Sequence, residues 1–194
     1  MIRIPSDITI NVIKSPCICH FKDVDFPENA PPHFYVVIPV NDAVDLILCI
    51  ITSKVEKRER YYRTRNPTAA NSLVKINPAI FQFLHTNSII DCNQTQLLSK
   101  NDLKKKVHRK HDFNIKSSDI LSSLLSEIKS AIRNSPLVRN SIKKLLWNPA
   151  VCLLTQSNKH NLILRYLHKR HGFYLKVQPN CFHLLSFCGS LLYT

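Results

Sequence analysis

Glycine is almost absent from this chain. Its 194 residues include two glycines, Gly172 and Gly189, and none precedes Gly172. Most of the chain therefore has no glycine-rich phosphate loop, dinucleotide-binding fingerprint or nucleophile elbow, because each of these motifs needs glycine at fixed positions. Tight turns that require a left-handed residue must use Asn or Asp instead.

Long apolar runs are also lacking. No apolar stretch approaches the roughly 20 residues that a membrane-spanning helix needs. The N-terminal sequence "MIRIPSDITI" has neither the long apolar segment nor the small-residue cleavage site of a secretion signal. We therefore expect a soluble, cytoplasmic protein that does not insert into a membrane.

Acidic residues are missing from the C-terminal part of the chain. All 13 lie at or before Glu127, and the formal net charge is +14. Such a charge favours a polyanionic partner, either RNA, DNA or an acidic protein, although a basic surface can also serve solubility alone. Because Pro136 and Pro149 mark the change in composition, we predict a domain over residues 1–148 and a basic, apolar tail over residues 149–194. The tail is either a loosely packed extension or a membrane-surface segment, for which "HNLILRYLHKRH" would form a basic amphipathic helix.

The seven cysteines are scattered and odd in number, which does not fit a disulfide framework. Cys17, Cys19 and His20 are potential metal ligands, and Cys181 and His183 would complete a set. Their spacing is not that of a standard zinc site, so we predict no metal and no cofactor.

Apolar residues make up 44% of the chain, enough for a core, and the first half is rich in predicted strands. "ITINVI" alternates apolar and polar residues, as a half-buried strand does. "HFYVVIPV" and "DLILCIIT" predict a hairpin that turns at Asn41 and Asp42, and "SLVKI" and "SIIDC" predict two more strands. The fold class expected is α+β, mainly β, with a small curved antiparallel β-barrel and C-terminal helices.

Two helices are predicted after these strands. Ser99, followed by Asp102, resembles an N-terminal cap before "LKKKV". "SSDILSSLLSEIKSAIRN" has apolar residues at helical spacing, and Ser118 or Asp119 would cap its start. Its apolar face is expected to pack on the sheet or, alternatively, to bind another subunit.

A basic, aromatic segment follows the hydroxyls of Thr52 and Ser53. Its cations and tyrosines would line a groove that binds phosphates and stacks unpaired bases, or would form a solvated loop. They are Lys54, Lys57, Arg58, Arg60, Tyr61, Tyr62, Arg63 and Arg65. A second basic patch, residues 104–111, extends this surface or is an exposed helix end.

The order of these elements resembles the divergent, PemK-like branch of the MazF/PemK toxin superfamily. The matching stretches are Val36–Ile38, Ile51–Ser53 and Asp91–Gln94 ("DCNQ"), within residues 5–145. The resemblance implies an SH3-like barrel and a homodimer that cleaves single-stranded RNA without a metal. It also implies an acidic antitoxin partner that occupies the RNA groove.

The resemblance assigns the catalytic positions to His33, Thr52, Ser53, Asp91 and Asn93. His33 stands where the family tends to have Arg and would act as acid or base, while Thr52 and Ser53 would bind a phosphate oxygen. Asp91 replaces an Arg, and Asn93 replaces the Asp that serves as base. Because Asn does not accept a proton at neutral pH, the altered motif favours an alternative function, a non-catalytic RNA- or protein-binding module on the same barrel.

Overall fold

The computed structural model describes residues 5–108 and 113–146. Six strands form one antiparallel sheet with the order β4-β5-β3-β2-β1-β6. In chain order they are β1 (Cys17–Phe21), β2 (His33–Val40), β3 (Asp45–Thr52), β4 (Leu73–Ile76), β5 (Ser88–Ser99) and β6 (Asn114–Ser117). The pairing leaves β4 and β6 as edges, so the sheet is not closed and the predicted barrel is not confirmed. The coarser prediction, an α+β fold with an antiparallel sheet, is confirmed.

Six helices accompany the sheet in the described part of the chain. They are α1 (Ser6–Asn11), α2 (Val55–Arg65), α3 (Pro67–Ala70), α4 (Lys100–Lys106), α5 (Ser122–Asn134) and α6 (Asn140–Leu145). None of the described helices is long and apolar enough to cross a membrane. The predicted tail, residues 149–194, lies outside the described residues, so the domain boundary stays a prediction.

The middle parts of β2 and β3 are continuously apolar and buried, as expected for strands that are covered on both faces of the sheet. Ile47, Cys49 and Ile51 of β3 belong to one core with α5 and α6. Leu46, Leu48 and Ile50 belong to a second core, which also contains Ile10 of α1 and Leu103 of α4. The structure is therefore three layers, with the sheet in the middle.

The predicted hairpin is confirmed. Phe34 pairs with Ile51 and Val40 with Asp45, so β2 and β3 are in register along their length. Asn41 and Asp42 have φ angles of 51° and 55°, as the lack of glycine requires, and Ala43 follows with 63°. The strands predicted at "SLVKI" and "SIIDC" correspond to β4 and the start of β5.

Residues 8–13 are a correction to the sequence prediction. "ITINVI" lies in α1 and the turn after it, with Pro5 as the residue before the helix. Ile10 and Ile13 are buried at a spacing of three, whereas Ile8 and Val12 are exposed. Three alternating apolar residues were too short a pattern to separate a strand from a helix beginning after Pro-Ser-Asp.

The helix predicted from Ser118 begins later than expected. The chain first forms β6, and Leu121 precedes α5 without a side-chain cap. Ser117 instead holds a turn, with its Oγ accepting from the Asp119 N–H at 3.4 Å. The predicted packing is confirmed, because Leu124, Ile128 and Ile132 join the core on the sheet. The cap at Ser99 is also confirmed, since its Oγ accepts from the Asp102 N–H at 3.1 Å.

Candidate nucleic-acid interface

Three of the predicted site residues lie together at one end of the sheet. β2 begins at His33 and β3 ends at Thr52, and the pairing of Phe34 with Ile51 places these two ends side by side. Thr52 is half-buried and Ser53 is exposed. The charge of Lys54 reaches His33, where it contributes to lowering the pKa. Imidazole, hydroxyls and an ammonium group therefore share this end.

The Thr52 hydroxyl takes part in the start of α2. Its Oγ1 accepts the Lys54 N–H at 3.2 Å, and the Lys54 carbonyl accepts the first helical bond, from the Arg58 N–H at 3.0 Å. A strand-end hydroxyl commonly satisfies a neighbouring backbone group in this way. Thr52 thus directs the chain from β3 into the basic helix.

His33 is held neutral near physiological pH by its surroundings. Its ring stacks on Phe26 with a centroid separation of 4.7 Å. Burial, followed by the charge of Lys54, lowers the pKa of His33 below its ordinary 6.5. The buried Nδ1 atom has no hydrogen-bond partner of good geometry. A neutral imidazole can accept a proton, which corresponds to one of the two roles, acid or base, that the resemblance implies for His33.

Asp91 is buried and fully engaged. Its side chain is 0% exposed, and the Tyr62 hydroxyl lies 3.1 and 3.0 Å from its two oxygens. The Arg58 Nε lies 3.4 Å from Oδ2, and the Asn93 N–H donates to Oδ1 at 3.1 Å. Asp91 therefore fixes α2 to the sheet, and its carboxylate does not face an open groove in this structure.

Asn93 is equally occupied. Its side-chain amide donates to the Ala69 carbonyl at 2.8 Å, and its carbonyl oxygen accepts from the Ser135 hydroxyl at 2.7 Å. The register of β3 and β5 shifts between Leu48 and Ile50, so the regular alternation of side chains breaks here. The "DCNQ" motif thus joins α2, α3 and the turn after α5 to β5.

The two tyrosines of the basic segment have opposite environments. Tyr62 is buried against Asp91, and burial and that carboxylate raise the pKa of its hydroxyl. Tyr61 is 48% exposed, and the Arg65 guanidinium lies 5.5 Å from the centre of its ring. One aromatic ring of the predicted pair is therefore open to a ligand.

The exposed side of α2 carries clustered positive charge. Glu59, which would dilute it, is paired with Arg63 at 3.3 Å and with Lys75 of β4 at 3.0 Å. These contacts, Lys75 first, lower the pKa of Glu59. Glu56 and Thr64 are also exposed on this helix. We call its exposed cations and exposed tyrosine the α2 surface; they are Lys57, Arg60, Tyr61, Arg63 and Arg65.

Sequence reasoning missed that this segment is a helix. The sequence pattern predicted either a groove-lining segment or a solvated loop, and neither alternative was a helix. Residues 55–65 nevertheless contain no glycine or proline and include several good helix formers. Sequence reasoning also missed Lys75, which neutralises Glu59. This contact joins an edge strand to α2 in the folded chain, where the Lys75 Nζ lies 3.0 Å from the Glu59 Oε1.

The second basic patch and the candidate metal ligands are the remaining predicted sites, and their described residues contact other parts of the protein. Lys106, in the second basic patch, pairs with Asp23 and Asp25; residues 109–112 of that patch lie outside the described residues. Cys17 and Cys19 are buried with their sulfurs 3.6 Å apart. Within residues 5–108 and 113–146, no cluster of three His, Cys, Asp or Glu side chains could hold a metal ion. Cys181 and His183 lie outside those ranges.

Comparison of the chain with protein-family models, with curated proteins and with solved structures gives no match.

Proposed function

We propose that the protein binds single-stranded RNA through the α2 surface. The proposal is supported by the different environments of the two sides of α2, one anchored to the sheet and one exposed. Arg58 and Tyr62 anchor it to the buried Asp91, which leaves Tyr61 and the remaining cations on its outer side. Cations would contact successive phosphates and the open tyrosine ring would stack on an unpaired base, a combination that suits single strands.

The test compares Tyr61→Ala with Tyr61→Phe, using a short fluorescent oligoribonucleotide and fluorescence anisotropy. Loss of a stacking ring weakens binding by about 1–3 kcal/mol, or about 5- to 150-fold in Kd. Phe keeps the ring, so Tyr61→Phe should bind within about twofold of the parent protein. Leu121→Ala, which removes an exposed apolar side chain before α5, is the matched control. Equal affinity of Tyr61→Ala and the parent would contradict the proposal.

Cleavage of the bound RNA is a second candidate function, as in a toxin of a toxin–antitoxin system. It is favoured by the neutral His33 beside Thr52, Ser53 and Lys54. His33 would accept the ribose 2′-hydroxyl proton while the 2′-oxygen attacks the phosphorus, and the Ser53 hydroxyl and Lys54 would stabilise charge on the phosphate. The bond between phosphorus and the 5′-oxygen would then break, and the protonated His33 or a water molecule would give a proton to the leaving 5′-oxygen. Asp91 would act indirectly by holding α2, and Asn93 would act indirectly by holding α3 and the turn after α5.

Cleavage is measured by incubating RNA with the protein in EDTA, because the resemblance implies a metal-free reaction. His33→Gln should abolish cutting while leaving RNA affinity within about twofold, and Ser123→Ala, at an exposed serine of α5, should change neither. If RNA that is bound by the parent protein stays intact, the enzyme hypothesis fails and the binding function remains.

The partners and the finer fold assignment rest on the MazF/PemK resemblance. The open sheet would be a divergent form of that superfamily's barrel, assembled as a cytoplasmic homodimer. An acidic antitoxin would compete with RNA for the α2 surface by charge complementarity. Light scattering in solution tests the dimer, and a mass equal to one chain would exclude it.

A further inference from the structure

A basic concavity lies on the other side of the sheet from α2. It has a volume of about 710 Å³, within the roughly 300–1,000 Å³ range of small-molecule sites. Six described residues line it, and we call it the α5–α6 cavity; they are Ser130, Arg133, Asn134, Asn140, Lys143 and Lys144. None of these described lining residues carries a carboxylate.

The lining residues have the same sequence spacing on α5 and on α6. Ser130, Arg133 and Asn134 on α5 are at positions i, i+3 and i+4, and Asn140, Lys143 and Lys144 on α6 repeat that pattern. Residues at this spacing share one face of a helix. α5 therefore presents a serine, an arginine and an asparagine to this space, and α6 presents an asparagine and two lysines.

The turn between the two helices is fixed by buried contacts. The Ser135 hydroxyl donates to Asn93 of β5 at 2.7 Å, and the same oxygen accepts the Leu137 N–H at 3.2 Å. On α6, Ile142 is buried in the core that covers the sheet, as is Leu146 after the helix. The cations are thus held on a preformed framework, which lowers the entropic cost of binding.

The chemistry of the lining selects an anion with several acceptor oxygens. Lys143 and Lys144 supply point charges for phosphate oxygens, and Arg133 adds a third positive charge to the lining. Asn134 and Asn140 add amide donors, and the Asn134 amide lies 3.4 Å from the Ser130 hydroxyl. The cations and amide donors of the described lining suit the acceptor oxygens of phosphate groups.

We propose that the α5–α6 cavity binds a small ligand with clustered phosphate groups. A compact ligand is favoured over an RNA strand because three cations converge on one concavity instead of following an extended groove. The site is separate from the α2 surface. α5 packs on the face formed by Cys49 and Ile51, whereas Asp91, which holds α2, is paired with Ile50 of the opposite face.

The experiment measures binding of inorganic tripolyphosphate by isothermal titration calorimetry at low salt. The parent protein should bind it saturably at one site. Lys143→Gln/Lys144→Gln should raise Kd at least tenfold, because it removes two of the three cations. Lys144 is exposed and Lys143 is half-buried, and Gln preserves most of the volume of each side chain. Thermal unfolding followed by circular dichroism should therefore be unchanged.

The matched control is Lys104→Gln/Lys105→Gln, an adjacent lysine pair on α4 with the same loss of charge. It should leave Kd for tripolyphosphate within about twofold, as should Tyr61→Ala. Equal weakening by both double variants would show that net charge alone binds the anion and would overturn the proposal, as would the absence of saturable binding. Displacement of tripolyphosphate by an oligoribonucleotide without terminal phosphates would assign the cavity to RNA instead.

Discussion

Asp91 shows how a single buried carboxylate can position a binding helix. Its oxygens receive the Tyr62 hydroxyl, the Asn93 N–H and the Arg58 guanidinium. A buried charge is tolerated only when paired and hydrogen-bonded, and removing the charge leaves its partners poorly satisfied. Asp91, the first residue of the "DCNQ" motif, thus has the role of attaching α2 to the sheet.

The first prediction concerns Asp91→Asn. It should lower the free energy of unfolding by about 1–3 kcal/mol, because the Arg58 and Tyr62 contacts lose their anionic acceptor. Urea unfolding followed by fluorescence measures the change. Glu127→Gln, at an exposed carboxylate on α5, serves as the control and should stay within about 0.5 kcal/mol. An unchanged stability together with loss of RNA cleavage would instead make Asp91 a catalytic residue.

The environment of His33 predicts how the stability of the protein changes at acid pH. Burial and the charge of Lys54 lower its pKa below the ordinary 6.5, so the unfolded chain binds a proton more readily than the folded one. Stability should therefore decrease as pH falls below about 6.5 and through the lowered pKa, and should not depend on His33 above that window.

The measurement is urea unfolding between pH 8 and pH 5 for the parent protein and His33→Gln. The variant should show a shallower decrease on the acid side. His20, whose pKa is lowered by burial and then by Lys116, contributes with the same sign, so some decrease should persist. Identical pH profiles for parent and variant would show that His33 does not sense this change.

At the scale of elements, the β2–β3 turn contains the clearest local strain. Three consecutive residues without glycine have positive φ, and the last is Ala43 at 63°. Asn and Asp adopt this conformation readily, whereas alanine has no side-chain group that compensates for it. The hairpin forms despite this because seven residue pairs, from Phe34–Ile51 to Val40–Asp45, align its strands.

Ala43→Gly should therefore stabilise the protein by roughly 0.5–1 kcal/mol. Relief of the left-handed strain is larger than the extra entropy that glycine gives the unfolded chain. Differential scanning calorimetry would record a higher Tm. The matched variant Ala70→Gly, at the end of α3, should have the opposite sign, since glycine weakens a helix. A lower Tm for Ala43→Gly would mean that the turn is not strained.

The elements also show which local patterns were decisive. Apolar runs bounded by turn residues identified β2 and β3, and the Ser99–Asp102 pair identified the start of α4. The short alternation at Ile8 to Val12 did not distinguish α1 from a strand. β6 was missed because "NIKS" has a burial pattern of exposed and half-buried residues, so it carries little apolar signal.

At the scale of the whole molecule, the candidate interface depends on contacts that local patterns do not encode. Tyr62 meets Asp91 across 29 positions, and Asn93 meets Ser135 across 42. From sequence, the positive charge and the hydroxyls at the end of β3 were predictable. The burial of Asp91 and the division between Tyr61 and Tyr62 were not, because each depends on where a distant strand places its partner.

The distribution of charge over the molecule leads to the last prediction. A net charge of +14 would attract RNA to any face, so affinity alone does not locate the interface. The salt dependence of binding locates the interface, because each phosphate contact with single-stranded RNA contributes about −0.7 to the slope of log K against log salt. Lys57→Gln/Arg60→Gln should therefore reduce the magnitude of the slope by about 1.4, whereas Lys143→Gln/Lys144→Gln should leave it unchanged. Anisotropy titrations from 50 to 300 mM KCl measure both variants, and an equal reduction in the two would mean that RNA contacts both sides of the sheet.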